Sequence, residues 1–342
     1  MRPDVHTLAP LLAKVSRSFG LSIRLLPNRL RPPIALGYLL ARATDTVADC
    51  AQASSTERRQ LLRHMRQALL EPLGAAAPIT TETLQNWALR VKDVHEATLI
   101  MQWPVCLQIL QTLPDGQQRL LRGVLAAITE GQIWDLDVPQ QPGPGVPDGQ
   151  SLERYTWLVA GSVGEFWTEV CASQPRPWHD ETTVPMVQLG AAYGQGLQWL
   201  NIVRDCGQDL RAGRCYWPNP DLQAAGLDAQ RLCRAAQSQD RTTLQSLLPL
   251  LQNKYPAIEK QLHQGLQYSQ ALHSRRLRLA SALPCLIGIR TLRRLQHSGV
   301  QVLLENVRIP RSEVRRLLLG LLLRGVSRSA LQAAWNQGAR RL

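Results

Sequence analysis

Residues 198–218 read QWLNIVRDCGQDLRAGRCYWP, and the spacing of the polar residues here decides the reading of the fold. Gln198, Asn201, Asp205 and Asp209 follow one another in steps of three, four and four. Such steps stack side chains along one face of an α-helix. Trp199, Leu200, Ile202, Val203 and Leu210 surround them with apolar surface. Two carboxylates at i and i+4 on a core-facing helix repel each other and lose hydration. A bound cation is the simplest way to make that arrangement favourable.

The pattern recurs once. Tyr38, Arg42, Asp45 and Asp49 step by four, three and four inside YLLARATDTVAD, residues 38–49. A solvated helix face with a chance pair of acids accounts for one such stripe more easily than for two. Polar stripes in apolar surroundings need partners. Two acid pairs far apart in sequence, facing each other across a cavity, would hold several Mg²⁺ ions. That is apparatus for a substrate carrying diphosphate.

Composition points to the same class. The 342 residues are rich in Leu, Ala, Gln and Arg, and alternating strand patterns are hard to find, so an all-α chain is expected. At 44% hydrophobic content a sizeable core is available. The seven cysteines are scattered, odd in number and form no C-x-x-C, which fits a reducing cytosol better than a disulfide scaffold or zinc site. No signal peptide and no apolar run of about 18 residues is present, so no membrane-spanning helix is expected. The net charge of +13 is compatible with an anionic substrate or with peripheral contact at an anionic inner-membrane surface. With 5% aromatics and no recognisable module, nucleic acid is not an expected partner. Oligomeric state is not legible.

Along the chain, helices are expected over 5–26, 33–50, 56–71, 82–99, 103–112 and 117–135. Residues 138–150 (VPQQPGPGVPDGQ) read as a loop at the mouth of a cavity, free to move. Ser151 is the expected N-cap of a helix reaching Cys171. The helix over 185–211 carries the second acid pair, and Gly213 lies just past its end. Further helices are expected over 228–236, 240–252, 255–273, 276–297 and 311–323. Because both acid pairs must cooperate, the expectation is one domain over 1–342, with the C-terminal helices beyond about 311 peripheral.

Four segments, taken together, resemble the squalene and phytoene synthases, the head-to-head class of isoprenoid synthases. They are Ser16-Arg17-Ser18-Phe19, the 38–49 stretch, YTWLVAGSVG over 155–164, and the 198–218 stretch. The resemblance spans most of residues 11 to 312. N-x-x-R-D-x-x-x-D followed by G-R-x-Y-W-P is its most specific part. It implies an isoprenoid synthase fold: a single all-α domain with helices around a central apolar cavity and the aspartates at its mouth. Trp217 and Gly164-Glu165-Phe166-Trp167 are closer to bacterial squalene synthases than to phytoene synthases. Ala48 and Cys50 stand where many relatives carry further acids, so metal binding there rests on Asp45 and Asp49 alone. The region 278–284 lacks the aromatics of animal squalene synthases.

The resemblance implies condensation of two farnesyl diphosphates through presqualene diphosphate to squalene, with Mg²⁺ (or Mn²⁺) and NADPH. Asp45, Asp49, Asp205 and Asp209 would hold metal. Ser16, Arg17, Ser18, Arg42, Gln198, Asn201, Arg204 and Arg214 would bind diphosphate. For Arg42 and Arg204, a salt bridge to the neighbouring aspartate is an equally open reading. Tyr155, Tyr38 and Arg42 are the catalytic candidates; either tyrosine could instead be a core residue with a satisfied hydroxyl. The small residues of 159–164 would admit substrate to the backbone or pack helices closely. No strand followed by G-x-G-x-x-G exists, so NADPH would dock on helices and loops. Arg308 and Arg311 lie in a segment loosely like the family's nicotinamide-binding one. A synthase stopping at presqualene diphosphate, dehydrosqualene or phytoene is the alternative. A catalytically silent assembly protein is another, though it would be expected to have lost aspartates that this chain keeps.

Overall fold

A computed structural model describes residues 5–16, 23, 26–71, 79–173, 178–179 and 183–340. Among these residues no strand forms, and the chain is all-α. Its packing defines two compact units, Met1–Leu136 with Phe166–Arg176, and Asp137–Glu165 with Pro177–Leu342.

The first unit begins with a 3₁₀ turn, Val5–Leu8, and continues as α1 (Ala9–Val15), α2 (Arg31–Ala48) and α3 (Ser55–Leu70). Then come α4 (Thr81–Ala88), α5 (Val94–Met101), α6 (Trp103–Thr112) and α7 (Asp115–Asp137). α2 starts on Pro32 and Pro33, whose fixed φ and missing N–H suit a first helical turn. It buries Leu36, Leu39, Leu40 and Val47 and packs on α1, α3, α5 and α6. α3 opens with a capping box: Ser54 accepts from the Glu57 amide, and the Glu57 carboxylate accepts from the Ser54 amide.

The expected helix over 82–99 is two helices. Asp93 accepts from the amides of His95 and Glu96 at 2.8 and 3.1 Å, so its side chain starts a new helix.

In the second unit, α8 (Gly149–Thr156) runs through a π turn (Trp157–Gly161) into α9 (Ser162–Ala172), whose later residues belong to the first unit. Asp148, not Ser151, caps α8: its carboxylate accepts from the Ser151 amide at 2.7 Å. The order continues with α10 (Thr183–Arg211), α11 (Asn219–Ala224), α12 (Ala229–Ser238), α13 (Arg241–Gln245), α14 (Leu248–Ala271) and α15 (Arg275–Ser298). It ends with α16 (Gln301–Leu304), α17 (Arg311–Leu323) and α18 (Arg328–Ala339). α10, α14 and α15 form the centre, with Leu251, Leu262, Leu266, Leu286, Ile289 and Leu292 fully buried. α14 runs unbroken through 253–254, where a break between helices 240–252 and 255–273 was expected, and through Pro256; packing against both long neighbours holds it helical despite the lost amide.

The loop over 138–150 is not free. Gln141 N donates to Gly213 O, Cys215 N to Pro139 O and Asn219 N to Val146 O, each at 2.8 Å. The Asn219 side-chain amide adds a bond to Pro144 O at 2.7 Å. These bonds fasten the loop along residues 213–219, a pairing that Pro and Gly content alone does not reveal.

Among the described residues no helix is long and apolar enough to cross a membrane. All seven cysteines are buried free thiols.

Candidate active site

α10 delivers its polar stripe as spaced. Gln198, Asn201, Asp205 and Asp209 line one recess of about 210 Å³, together with Ile202, Gln208, Arg214 and Tyr216. Gly213 ends the helix with φ +79°, a conformation glycine adopts without penalty, and turns the chain back. The Arg214 amide consequently donates to the Asp209 carbonyl at 2.8 Å, and its guanidinium to the Asp209 carboxylate at 2.6 Å. The Asp209 side chain is only 11% exposed. Arg204 grips Asp205 with two nitrogens, Nε at 2.9 Å and Nη2 closer still. Asn201 and Gln198 are joined side chain to side chain at 3.4 Å. Each aspartate of this pair therefore has its own arginine; of the two open readings of Arg204, the structure shows the salt bridge to the neighbouring aspartate.

Tyr216 lines the recess, and Tyr155 stacks on it with centroids 5.8 Å apart and planes 22° from parallel. Both rings are buried. Tyr155 thus supports Tyr216 from behind; Tyr216 was not among the residues singled out from the sequence, although the R-x-Y-W-P segment contains it.

The small residues at 160–164 pack helices. A Cβ on Gly164 would lie 1.9 Å from the Gly190 carbonyl oxygen, and one on Gly194 would lie 2.2 Å from the Ala160 carbonyl oxygen. Backbone meets backbone here, so of the two readings of this stretch the structure adopts close packing of α9 and the π turn on α10.

In the first unit, α2 carries Asp45 in its last turn and Asp49 as its C-cap, on one face. Arg42 bridges Asp45 and Glu96, the latter from α5. Burial opposes the charge on Arg42, but the two carboxylates outweigh it and raise its affinity for the proton. Desolvation and the charge of Asp49 push the Asp45 pKa up to about 6, against the pull of Arg42. Its side chain is still 42% exposed, so it is not sealed in the core. The Tyr38 hydroxyl donates to the Val15 carbonyl at 3.2 Å and ties α1 to α2. Ser16 is buried, and its hydroxyl has no hydrogen-bond partner among the described residues. Arg17 and Ser18 lie outside the described residues.

No group of three or more His, Cys, Asp or Glu side chains that could hold a metal exists among the described residues. Each acid pair offers two carboxylates, so a divalent cation there would complete its oxygen shell from water and a bound diphosphate. The donor chemistry fits: two like charges, one already protonating near pH 6, are what a dication relieves.

A family model for squalene/phytoene synthases matches residues 12–315. The chain belongs to the squalene/phytoene synthase family. Within that family it is 26% identical over 314 residues to Botryococcus squalene synthase of Botryococcus braunii, covering 91% of this chain. It is 29% identical over 218 residues to presqualene diphosphate synthase of Zymomonas mobilis, covering 62% of this chain. Against the bifunctional lycopene cyclase/phytoene synthase of Blakeslea trispora the figures are 28% over 216 residues and 62%. The chain spans 62%, 60% and 32% of these three relatives' own lengths. Among solved structures it is similar to TcSQS bound to BPH1237 (TM-score 0.76, 19% identity, covering 98% of this chain and 90% of that one). A dehydrosqualene synthase complex gives TM-score 0.65 at 19% identity, covering 94% and 96%. At that identity the likeness is one of fold, the all-α isoprenoid synthase fold.

Asp45, Asp205 and Asp209 each have an arginine partner that the sequence reading names, while the second acid on Arg42 is one it does not. Arg42, Arg204 and Arg214 were singled out; Glu96 was not, because it stands 54 residues from Arg42 on another helix. Arg308 and Arg311 are exposed and do not line the aspartate recess.

The raised pKa of Asp45 has a measurable sign. In the unfolded chain its pKa is near 3.8, so the folded state binds the proton more tightly. Its favourable contribution is present below pH 4 and is lost as pH rises through about 6. Asp45→Asn, which relieves the repulsion while keeping an oxygen for Arg42, is expected to raise Tm at pH 7.5. The gap should close as pH falls towards 4. Mg²⁺ should raise Tm of the wild type by more than that of the variant, which keeps only the Asp205/Asp209 pair, by calorimetry.

Proposed function

We propose that this protein joins two farnesyl diphosphates head to head to presqualene diphosphate and reduces that product to squalene with NADPH. The observation that carries the proposal is the recess on α10, where Gln198, Asn201, Asp205 and Asp209 share one lining with Arg214. Mg²⁺ bound there would act as a Lewis acid on the leaving diphosphate. Asp45 and Asp49 on α2 would hold a cation of their own; Asp205 and Asp209 on α10 are the carboxylates that would hold this one. Arg204 and Arg214 keep those carboxylates oriented and present further N–H groups to phosphate oxygens. The leaving diphosphate takes the C–O electron pair, and an allylic cation remains. The double bond of the second farnesyl chain attacks it, and loss of a proton closes the cyclopropane. The stacked Tyr155 and Tyr216 supply aromatic faces that stabilise cationic carbon, with their hydroxyls as candidates for the departing proton. A second ionisation, rearrangement and hydride transfer would give squalene. Arg308 and Arg311, exposed before and at the start of α17, are retained as candidate contacts for the nicotinamide cofactor.

The similarity to the Zymomonas mobilis presqualene diphosphate synthase favours a second reading, in which the reaction stops at the cyclopropyl diphosphate. One experiment separates them. The protein is incubated with farnesyl diphosphate and Mg²⁺, with and without NADPH, and the lipids are identified by mass spectrometry. Squalene appearing only with NADPH is the expected result. Presqualene diphosphate or dehydrosqualene irrespective of NADPH would replace it by the second reading.

A further inference from the structure

α15, α17 and α18 enclose another cavity, of about 390 Å³, that shares no residue with the aspartate recess. Six arginines line it, Arg290, Arg293, Arg294, Arg316, Arg324 and Arg340, with one carboxylate, Glu313. Arg290 and Arg293 have side chains only 9% exposed. Arg290 is held by the carbonyls of Leu286 and Ala334 at 2.8 and 3.0 Å, with Nε 3.7 Å from Glu313. Arg294 takes the other Glu313 oxygen at 2.8 Å. Arg293 is fixed by Glu259, by Gln296 and by the Ala339 carbonyl at 2.8 Å. One lining acid therefore serves two arginines. Arg316, Arg324 and Arg340 make no ion pair among the described residues.

Packing alone does not explain this concentration. Like charges that converge on a partly enclosed space repel one another and lose hydration. Burial already lowers the proton affinity of Arg290, despite Glu313. A polyvalent oxyanion offsets both costs, and guanidinium groups fixed by backbone carbonyls are preorganised to fork onto its oxygens. We infer that the α15–α17–α18 cavity is a binding site for a phosphate-bearing anion, separate from the carboxylate recess. Two sources share that chemistry. One is a free phosphate or diphosphate. The other is the headgroup of an anionic lipid, because Leu319, Leu322 and Leu323 of α17 are 59%, 56% and 86% exposed. Apolar side chains beside a basic cluster suit a lipid interface.

The test uses the whole chain and the double variant Arg316→Ser/Arg324→Ser. Both arginines are exposed and make no ion pair among the described residues, so the fold is expected to survive, with Tm as the check. Inorganic diphosphate is titrated calorimetrically in Mg²⁺-free, low-chloride buffer, with Asp209→Asn as a control for the other recess. Vesicles of phosphatidylglycerol and of phosphatidylcholine are tested by co-sedimentation. Diphosphate binding retained in Asp209→Asn and weakened at least tenfold in the double variant assigns the site to a free anion. Selective sedimentation with phosphatidylglycerol, lost in the double variant, assigns it to a headgroup. Binding of neither probe, or equal binding by wild type and double variant, overturns the inference.

Discussion

Asp209→Asn is expected to lower turnover of farnesyl diphosphate by about 10²–10³-fold, the loss typical of removing one preorganised electrostatic group. Asparagine keeps the volume and one oxygen for Arg214, which donates to the carboxylate at 2.6 Å, so the recess keeps its shape. What disappears is the negative charge that would hold a divalent cation, in a side chain only 11% exposed. Arg214 is 31% exposed and loses its counter-ion where water can still reach it, so a modest change in Tm is expected. Asp49→Asn on α2 should give a comparable loss if each acid pair holds its own cation. Steady-state rates alongside melting curves decide the matter. Wild-type activity in either variant would remove the two-pair metal model.

The largest expected effect on stability is at Gly164. Its Cβ would meet the Gly190 carbonyl oxygen at 1.9 Å and the carbonyl carbon at 2.4 Å, both backbone atoms of α10 that cannot rotate away. Gly164→Ala must therefore push two helices apart. Overpacking of this kind costs about 1–3 kcal/mol, and for a chain of 342 residues Tm should fall by roughly 2–4 °C. Gly123→Ala on α7 is the control. Nothing lies within 4 Å of that Cβ, and alanine is the better helix former, so Tm should hold or rise. If both substitutions melt alike, the close approach of α9 to α10 is not what fixes glycine there.

How much was legible can be read from these residues. The stripe from Gln198 to Asp209 was, because helical periodicity is local and α10 supplies all four side chains to one recess. Helices over 103–112 and 311–323 match their expected limits, since each has a plain start and stop. Trp103 precedes Pro104, and Pro310 precedes Arg311. The Asp93 cap that splits 82–99 was written in the chain but outweighed by its apolar pattern. Other features depend on residues distant in sequence. Glu96 finds Arg42 only through the packing of α5 on α2. The 138–150 loop is fastened by residues some 70 positions later. The small residues of 160–164 show their purpose only when Gly190 and Gly194 are brought opposite. The arginine cavity assembles three helices whose basic residues, read singly, look like solvated surface.

The most direct measurement of the central claim is diphosphate release from farnesyl diphosphate, followed with Mg²⁺ and again with excess chelator. The account predicts release that depends on Mg²⁺, falls away in chelator and returns when Mg²⁺ is restored. Asp209→Asn should leave it near background at any Mg²⁺ concentration. Release that continues unchanged in chelator, or that Asp209→Asn sustains at the wild-type rate, would contradict it.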